Sequence, residues 1–176
     1  MTLEDDPSTA LYELTEQIMI EAGLPSYEVS NYAQQGQECL HNQLYWNVED
    51  YIGIGPGAHG RVTLEGKKYA TSRYKAPETW LKEVETHGHG LQTKLALSRE
   101  QRLDEMTLMG LRLTQGLSLD RLYAETGGTV YEVYPGLEKL QKESLITLTP
   151  THLKTSLEGR LRLNSLINFL LKGNTG

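Results

Sequence analysis

The chain has 176 residues, of which 38% are hydrophobic and 23% charged, a composition typical of a folded globular protein. Its net charge of −6 disfavours nucleic acid and anionic lipid as partners, and its one cysteine, Cys39, excludes an internal disulfide or a Cys-rich metal site built from this chain alone. No run of about 18 apolar residues is present to span a membrane, and the first residues are acidic, unlike a signal peptide, so we predict a cytoplasmic protein.

The N-terminal part of the chain is predicted to contain one helix followed by sheet. Apolar residues recur at helical spacing over residues 8–21, and a glycine follows soon after. Alternating side chains predict short strands over residues 26–32 and 50–54. Residues 61–72 are expected to fold into a hairpin, because Glu65-Gly66 is a turn signal between two β-prone runs.

The C-terminal part is predicted to be mainly helical, with one small hairpin. The composition changes near Leu97, where Ser98 and Gln101 have the spacing of a capping box. The predicted helices are residues 76–88, 98–116, 118–126, 130–143 and 157–170, and the predicted strands are 145–148 and 153–155. This order resembles a winged-helix arrangement. We therefore predict an α+β or α/β fold with two domains, residues 1–96 and 97–176.

A winged-helix arrangement raises the possibility of DNA binding, which the charges disfavour. Residues 98–176 carry ten Lys and Arg against nine Asp and Glu. The segment that would enter a groove, residues 130–143, has a net charge of −1. Because phosphate contacts require clustered positive charge, we expect a packing or partner-docking lobe and no nucleic-acid partner.

The densest polar and aromatic segment lies between residues 27 and 46. A thiol, an imidazole, a phenol and an indole occur close together in what is predicted to be a loop, at Cys39, His41, Tyr45 and Trp46. Aromatic rings offer faces on which a flat ligand can stack, and His or Cys can coordinate haem iron. The alternative is that the aromatic residues only pack at the base of the loop and that the histidine is an ordinary surface residue.

A glycine-rich block at residues 55–60 satisfies the G-x-G-x-x-G pattern of dinucleotide-binding proteins. That site requires a helix directly after the glycines, whose N-terminus receives the pyrophosphate. The residues that follow, Arg61-Val62-Thr63-Leu64, favour a strand. We therefore expect these glycines to allow close approach of two backbone segments.

Three blocks in order carry a family resemblance: YEVSNYA at residues 27–33, CxHNxxYW at residues 39–46 and YIGIGPGAHG at residues 51–60. This order resembles the C-terminal portion of the oxygen-independent coproporphyrinogen III oxidase family of radical-SAM proteins, and matching motifs run nearly end to end. The resemblance implies that residues 1–96 are the C-terminal part of a radical-SAM (β/α) barrel-like sheet. It also implies that residues 97–176 are the family's small helical, winged-helix-like lobe.

Within that family, the block His41-Asn42-x-x-Tyr45-Trp46 resembles the haem-binding motif of the HemW-type haem chaperones. The resemblance implies haem as the ligand, with His41 as candidate iron ligand and Cys39 as a possible second one. Asn42, Tyr45 and Trp46 would form the surrounding pocket, and haem-receiving apo-proteins would be partners. Ala33 matches a position whose backbone lies near S-adenosylmethionine in the related dehydrogenases.

The chain departs from the family in lacking its Cys-x-x-x-Cys-x-x-Cys motif. We therefore expect the four-iron cluster and S-adenosylmethionine only in a full-length protein, and no radical chemistry by this chain alone. Met1 is then expected to mark either a truncation of such a protein or the start of a short remnant of it. Two alternatives to a haem chaperone remain. The chain can be part of a coproporphyrinogen III dehydrogenase, which decarboxylates its substrate to protoporphyrinogen IX, or an inactive remnant that self-associates.

Overall fold

The computed structural model describes residues 7–172, beginning with helix α1, Pro7–Glu21. The predicted helix is confirmed, and Gly23 follows it with a left-handed φ of 73°, as a C-terminal glycine should. One face of α1 packs inward and buries Glu16, while Leu11, Leu14 and Ile18 on the opposite face remain exposed. After an irregular segment comes the short helix α2, Leu40–Trp46.

The first sheet is antiparallel, with strand order β1-β2-β3. Strands β1, His59–Leu64, and β2, Lys67–Arg73, form the predicted hairpin, and Glu65 and Gly66 take the positive φ angles (51° and 73°) that a tight hairpin turn requires. Helix α3, Pro77–His87, then leads to β3, Leu91–Ala96, which pairs with β2. The third strand was not predicted, because its central residues are polar and exposed and show no alternation.

The strands predicted over residues 26–32 and 50–54 are wrong. The backbone makes only isolated bridges there, such as Ser26 with Tyr32 and Tyr51 with Arg61. In the first segment the carboxylate of Glu28 accepts hydrogen bonds from the amide and hydroxyl of Ser30, at 2.9 and 3.0 Å. A side chain that takes backbone donors in this way closes a turn and competes with a strand ladder.

The C-terminal lobe combines short helices with a second antiparallel sheet of order β4-β6-β5. The predicted capping box is confirmed, because Ser98 and Gln101 exchange both hydrogen bonds. The elements of this lobe are α4 (Arg99–Gly110), β4 (Leu117–Ser118), α5 (Leu119–Thr126), α6 (Val130–Val133), α7 (Leu137–Lys142), β5 (Ile146–Leu148), β6 (His152–Thr155), α8 (Leu157–Leu161) and α9 (Leu163–Lys172).

Two helices predicted as single are each divided in the structure. The helix expected over residues 130–143 breaks between α6 and α7, where Tyr134 has φ −124° and ψ 81°. Pro135 follows it, and proline disfavours the helical conformation of the residue before it. The helix expected over residues 157–170 is split into α8 and α9 at Arg162.

The hydrophobic core lies in this C-terminal lobe. Its buried cluster runs from Met106 to Leu170 and centres on residues with no exposed surface, among them Leu111, Tyr134 and Leu153. Over residues 7–96, by contrast, Val48 is the one buried hydrophobic side chain that the structure describes. The predicted α+β class is confirmed, with both sheets antiparallel.

Candidate functional site

The segment predicted to be a loop around Cys39 and His41 is in fact the two-turn helix α2. Cys39 precedes it in an extended conformation, and its carbonyl accepts the amide of Gln43 at 3.0 Å, which closes the first turn. Leucine and glutamine are good helix formers, so the sequence of this segment is compatible with a helix. The prediction failed because seven residues are too few to show helical periodicity clearly.

A helix gives the His41-Asn42-x-x-Tyr45-Trp46 block two faces. At about 100° per residue, Leu40, Leu44, His41 and Tyr45 fall within an arc of about 140°, which we call the outer face. Asn42, Gln43 and Trp46 fall on the opposite, inner face. Leu40 is 75% exposed and Leu44 41% exposed, and His41 is also exposed. The outer face is therefore mainly apolar and open to solvent, and it carries one imidazole, that of His41.

Aromatic contacts connect the outer face to the segment that follows α2. The His41 and Tyr45 rings meet edge to face, with centroids 4.7 Å apart and planes inclined by 73°. The Tyr45 ring in turn lies 4.3 Å from that of Tyr51. Burial raises the pKa of Tyr51 above its ordinary value. Over residues 7–172, no hydrogen bond reaches the His41 ring.

The inner face attaches α2 to the rest of the protein. The Asn42 side-chain amide donates a hydrogen bond of 3.0 Å to the Tyr27 hydroxyl. The Trp46 ring lies against Arg112, whose guanidinium carbon is 5.4 Å from the ring centroid, within the range of a cation–π contact. The Trp46 indole nitrogen is buried and has no hydrogen-bond partner among the described residues. These two side chains point into the protein, away from the face that carries His41.

The remaining predicted site residues lie apart from the outer face. Cys39 is exposed and precedes α2 in an extended conformation, so it is not part of the helix face that carries His41. Ala33 is half-buried after the turn at residues 26–32, and its amide donates to the Pro25 carbonyl at 3.2 Å. The structure thus brings His41 and Tyr45 together and places Asn42, Trp46, Cys39 and Ala33 elsewhere.

Two glycines, Gly53 and Gly60, allow the segment that carries Tyr51 to pack closely against β1. A Cβ on Gly53 would lie 2.2 Å from the His59 carbonyl oxygen, and one on Gly60 would lie 2.6 Å from the Thr71 hydroxyl oxygen. Gly60 thus shows the close backbone approach expected of the block at residues 55–60, and so does Gly53 before it, whereas a Cβ on Gly55 would meet nothing within 4 Å. The block continues into a strand where a dinucleotide site would need a helix.

Sequence reasoning missed three residues of this site: Leu40, Leu44 and Tyr51. The two leucines have a signal, since their spacing of four residues places them on one side of a helix next to His41. Tyr51 has no such sequence signal, because its contact with Tyr45 depends on how the chain turns after α2.

The described residues, 7–172, contain neither a site for a bare metal ion nor a membrane-spanning helix. No group of three or more His, Cys, Asp or Glu side chains is arranged to hold a bare metal ion there. Within the same residues, no helix is both long enough and apolar enough to cross a bilayer.

Comparison with known proteins identifies relatives of the whole chain. Residues 97–162 match the HemN C-terminal domain. The chain is 35% identical to radical S-adenosyl methionine domain-containing protein 1, mitochondrial, of Bos taurus, over 94% of this chain and 40% of that protein. It is 30% identical to the heme chaperone HemW of Escherichia coli (strain K12), over 96% of this chain and 43% of that protein. The chain thus spans about two fifths of the length of these relatives.

A solved structure shows the same fold. The chain matches coproporphyrinogen III oxidase (HemN) from Escherichia coli, a radical-SAM enzyme, with a TM-score of 0.64 and 16% identity, over 95% of this chain and 41% of that one. The resemblance seen in the sequence motifs is confirmed. The chain carries a HemN C-terminal domain and is homologous to HemW and to radical S-adenosyl methionine domain-containing protein 1, as the C-terminal portion of such a protein.

Proposed function

We propose that the chain is the haem-binding portion of a HemW-type haem chaperone, with the outer face of α2 as its contact surface. One observation carries the proposal: an exposed imidazole, His41, stands beside two exposed leucines on one helix face. A helix of a folded protein normally turns its apolar side inward. Here the apolar side faces outward, and the inner face is attached through polar and aromatic contacts.

Haem fits the chemistry of this face. Its macrocycle is flat and largely apolar, so the leucine side chains and the Tyr45 ring would be covered by contact with it. Its iron accepts imidazole nitrogen as an axial ligand. Since no hydrogen bond among the described residues engages the His41 ring, a ring nitrogen is available to bind iron. Haem is the cargo in this proposal and not a resident catalytic group.

The residues of the motif then divide into two roles. His41 and Tyr45 would contact the haem, whereas Asn42 and Trp46 would hold α2 in place through Tyr27 and Arg112. Cys39 precedes α2 and is not on its outer face, so the proposal assigns the iron to His41 alone.

The other predicted ligands and partners belong to a longer protein. We assign the four-iron cluster and S-adenosylmethionine to the part of the relatives that this chain does not cover, with Ala33 as a residue near the latter. Haem-receiving apo-proteins are the expected recipients of the cargo. The animal relatives are named as mitochondrial whereas the sequence predicts a cytoplasmic protein, and the proposed haem contact is the same in either compartment.

A haem titration tests the proposal. We expect ferric haem added to the chain to shift its Soret absorption on binding, and His41→Ala to weaken binding at least about tenfold, as loss of a metal ligand or its support does. His59→Ala is the matched control, since His59 is also exposed and lies at the start of β1. Unchanged affinity and spectrum for His41→Ala would remove His41 as the ligand and with it the proposed site.

A further inference from the structure

We propose that Tyr51 is a positioning residue for the His41 imidazole, acting through the ring of Tyr45. The inference rests on the proposed function, since it concerns how the iron ligand of that site is oriented. Tyr51 lies outside the His41-Asn42-x-x-Tyr45-Trp46 block, five residues beyond its end.

The rings of His41, Tyr45 and Tyr51 form a continuous series. Tyr45 stands between the other two, with centroid distances of 4.7 Å to His41 and 4.3 Å to Tyr51. The His41–Tyr45 distance lies in the range of about 4.5–7 Å in which aromatic rings attract each other, and its edge-to-face geometry is one that the ring quadrupoles favour. The Tyr45 and Tyr51 rings are slightly closer, with planes inclined by 46°, so they pack in direct contact. Movement of the Tyr51 ring would therefore release Tyr45, and Tyr45 is the ring that the imidazole contacts.

The contact between His41 and Tyr45 matters because, among the described residues, no hydrogen bond orients the His41 ring. Metal-bound imidazoles normally donate their second ring N–H to a carboxylate, a carbonyl or water, which fixes the orientation of the ring. No carboxylate or carbonyl group of residues 7–172 accepts a hydrogen bond from the His41 ring. Its described ring contact is the edge-to-face one with Tyr45, so the orientation of the imidazole depends on where Tyr45 is held.

Tyr51 can serve as a fixed point because its backbone is firmly attached. Its amide donates to the Arg61 carbonyl at 2.7 Å, and the Arg61 amide donates back to the Tyr51 carbonyl at 2.9 Å. Gly60 lies so close that an added Cβ would stand 2.9 Å from the Tyr51 carbonyl oxygen. The Arg61 side chain is itself joined to Glu105 on α4. The support thus extends from the C-terminal lobe through β1 to the exposed imidazole.

The experiment compares the unaltered chain with Tyr51→Ala, Tyr51→Leu and Tyr51→Phe, using ferric haem as the probe. Soret titrations give the affinity, and electron paramagnetic resonance of the saturated complexes reports the orientation of the axial imidazole. Tyr69→Ala is the matched control: Tyr69 is also half-buried, but its ring contacts Lys94 and lies outside the series.

We expect Tyr51→Ala and Tyr51→Leu to bind haem about two- to tenfold more weakly, the range that loss of one aromatic pair implies. Their resonance lines should broaden, since the imidazole takes several orientations. Tyr51→Phe retains the ring and should resemble the unaltered chain, as should Tyr69→Ala. If circular dichroism shows that Tyr51→Ala is unfolded, Tyr51→Leu, which keeps apolar volume without a ring, decides the question.

Failure of this inference differs from failure of the proposed function. If His41→Ala alters the haem spectrum while Tyr51→Leu matches the unaltered chain in affinity and line shape, the positioning role is overturned and the haem site stands. If His41→Ala leaves binding unchanged, the haem site itself is wrong, and Tyr51 has no imidazole to position.

Discussion

The guanidinium of Arg61 on β1 and the carboxylate of Glu105 on α4 meet at two points. The Arg61 Nε donates to Glu105 Oε2 at 3.0 Å, and a terminal nitrogen donates to Oε1 at 2.6 Å. Each side chain is only 22% exposed. Hydrogen bonding to Glu105 raises the pKa of Arg61 further above its ordinary value, so the guanidinium stays charged. The contact joins the first sheet to the C-terminal lobe across 44 residues of sequence.

The pair should contribute measurably to stability. We expect Glu105→Gln to lower the free energy of unfolding by about 1–3 kcal/mol, because a two-point hydrogen bond between charged groups is lost and a partly buried guanidinium is left without its counter-charge. Urea denaturation provides the measurement. The control is Glu158→Gln, whose exposed pair with Arg162 should contribute at most about 0.5 kcal/mol. Equal effects of the two changes would contradict this reading of the Arg61–Glu105 contact.

Gly53 should tolerate no side chain. Gly53→Ala places a Cβ against the His59 carbonyl, so we expect a loss of about 2 kcal/mol or more, with displacement of the Tyr51 segment. Gly66→Asn is the comparison, because Gly66, in the turn between β1 and β2, has open space and a left-handed φ that asparagine tolerates. Thermal unfolding of both variants would test the prediction. A fully stable Gly53→Ala protein would show that residues 51–54 do not lie against β1 as described.

Alkaline pH should weaken the C-terminal lobe through Tyr134. Burial raises its pKa from 10.0 to about 12. The unfolded chain therefore ionises first as the pH rises, so the stabilisation from the neutral phenol is complete below pH 10 and is lost on approaching pH 12. A shift of this size corresponds to about 2–3 kcal/mol.

Tyr134→Phe isolates that effect. The Thr107 hydroxyl donates to the Leu103 carbonyl, so the Tyr134 hydroxyl donates to Thr107, at 2.5 Å. Loss of this bond should cost about 1 kcal/mol at neutral pH. The variant should nevertheless lose less stability than the unaltered chain between pH 10 and 12, as measured by urea denaturation at each pH. Parallel losses in both proteins would assign the alkaline effect to other tyrosines.

The two faces of α2 should respond differently to truncation. His41 is exposed, so His41→Ala should leave the free energy of unfolding within about 0.5 kcal/mol of its original value. Trp46 packs inward against Arg112, so Trp46→Ala should lower it by about 2 kcal/mol. Thermal unfolding without haem separates the two effects. A destabilised His41→Ala variant with an unaffected Trp46→Ala variant would reverse the assignment of inner and outer faces.

Elements with strong local signals could be predicted from the sequence. The Glu65-Gly66 turn and the Ser98–Gln101 capping box depend on residues close together in the chain, and both are present as expected. The turn at residues 26–32 could not be predicted, because alternating residues indicate a strand unless it is known that the Glu28 side chain binds the Ser30 backbone. Strand β3 is exposed along nearly all of its length and shows no alternation, so its pairing with β2 could not be read from the sequence.

The candidate site could be predicted in part. The sequence motif singled out His41 and Tyr45, which the structure brings into contact. It also grouped Asn42 and Trp46 with them, although on a helix these residues point the other way. Had the segment been recognised as a helix, its spacing alone would have separated the two faces. The contact between Tyr45 and Tyr51 would still have been missed, since it depends on tertiary structure.

Exchange of the proposed ligand tests the central claim most directly. We would place His41→Cys in a Cys39→Ser background, so that the chain's one thiol stands at position 41, and record the spectrum of the ferric haem complex. Binding through the outer face of α2 predicts that the imidazole signature of the unaltered chain is replaced by a thiolate signature at the same haem stoichiometry. An imidazole signature that persists in this variant would show that another residue holds the iron.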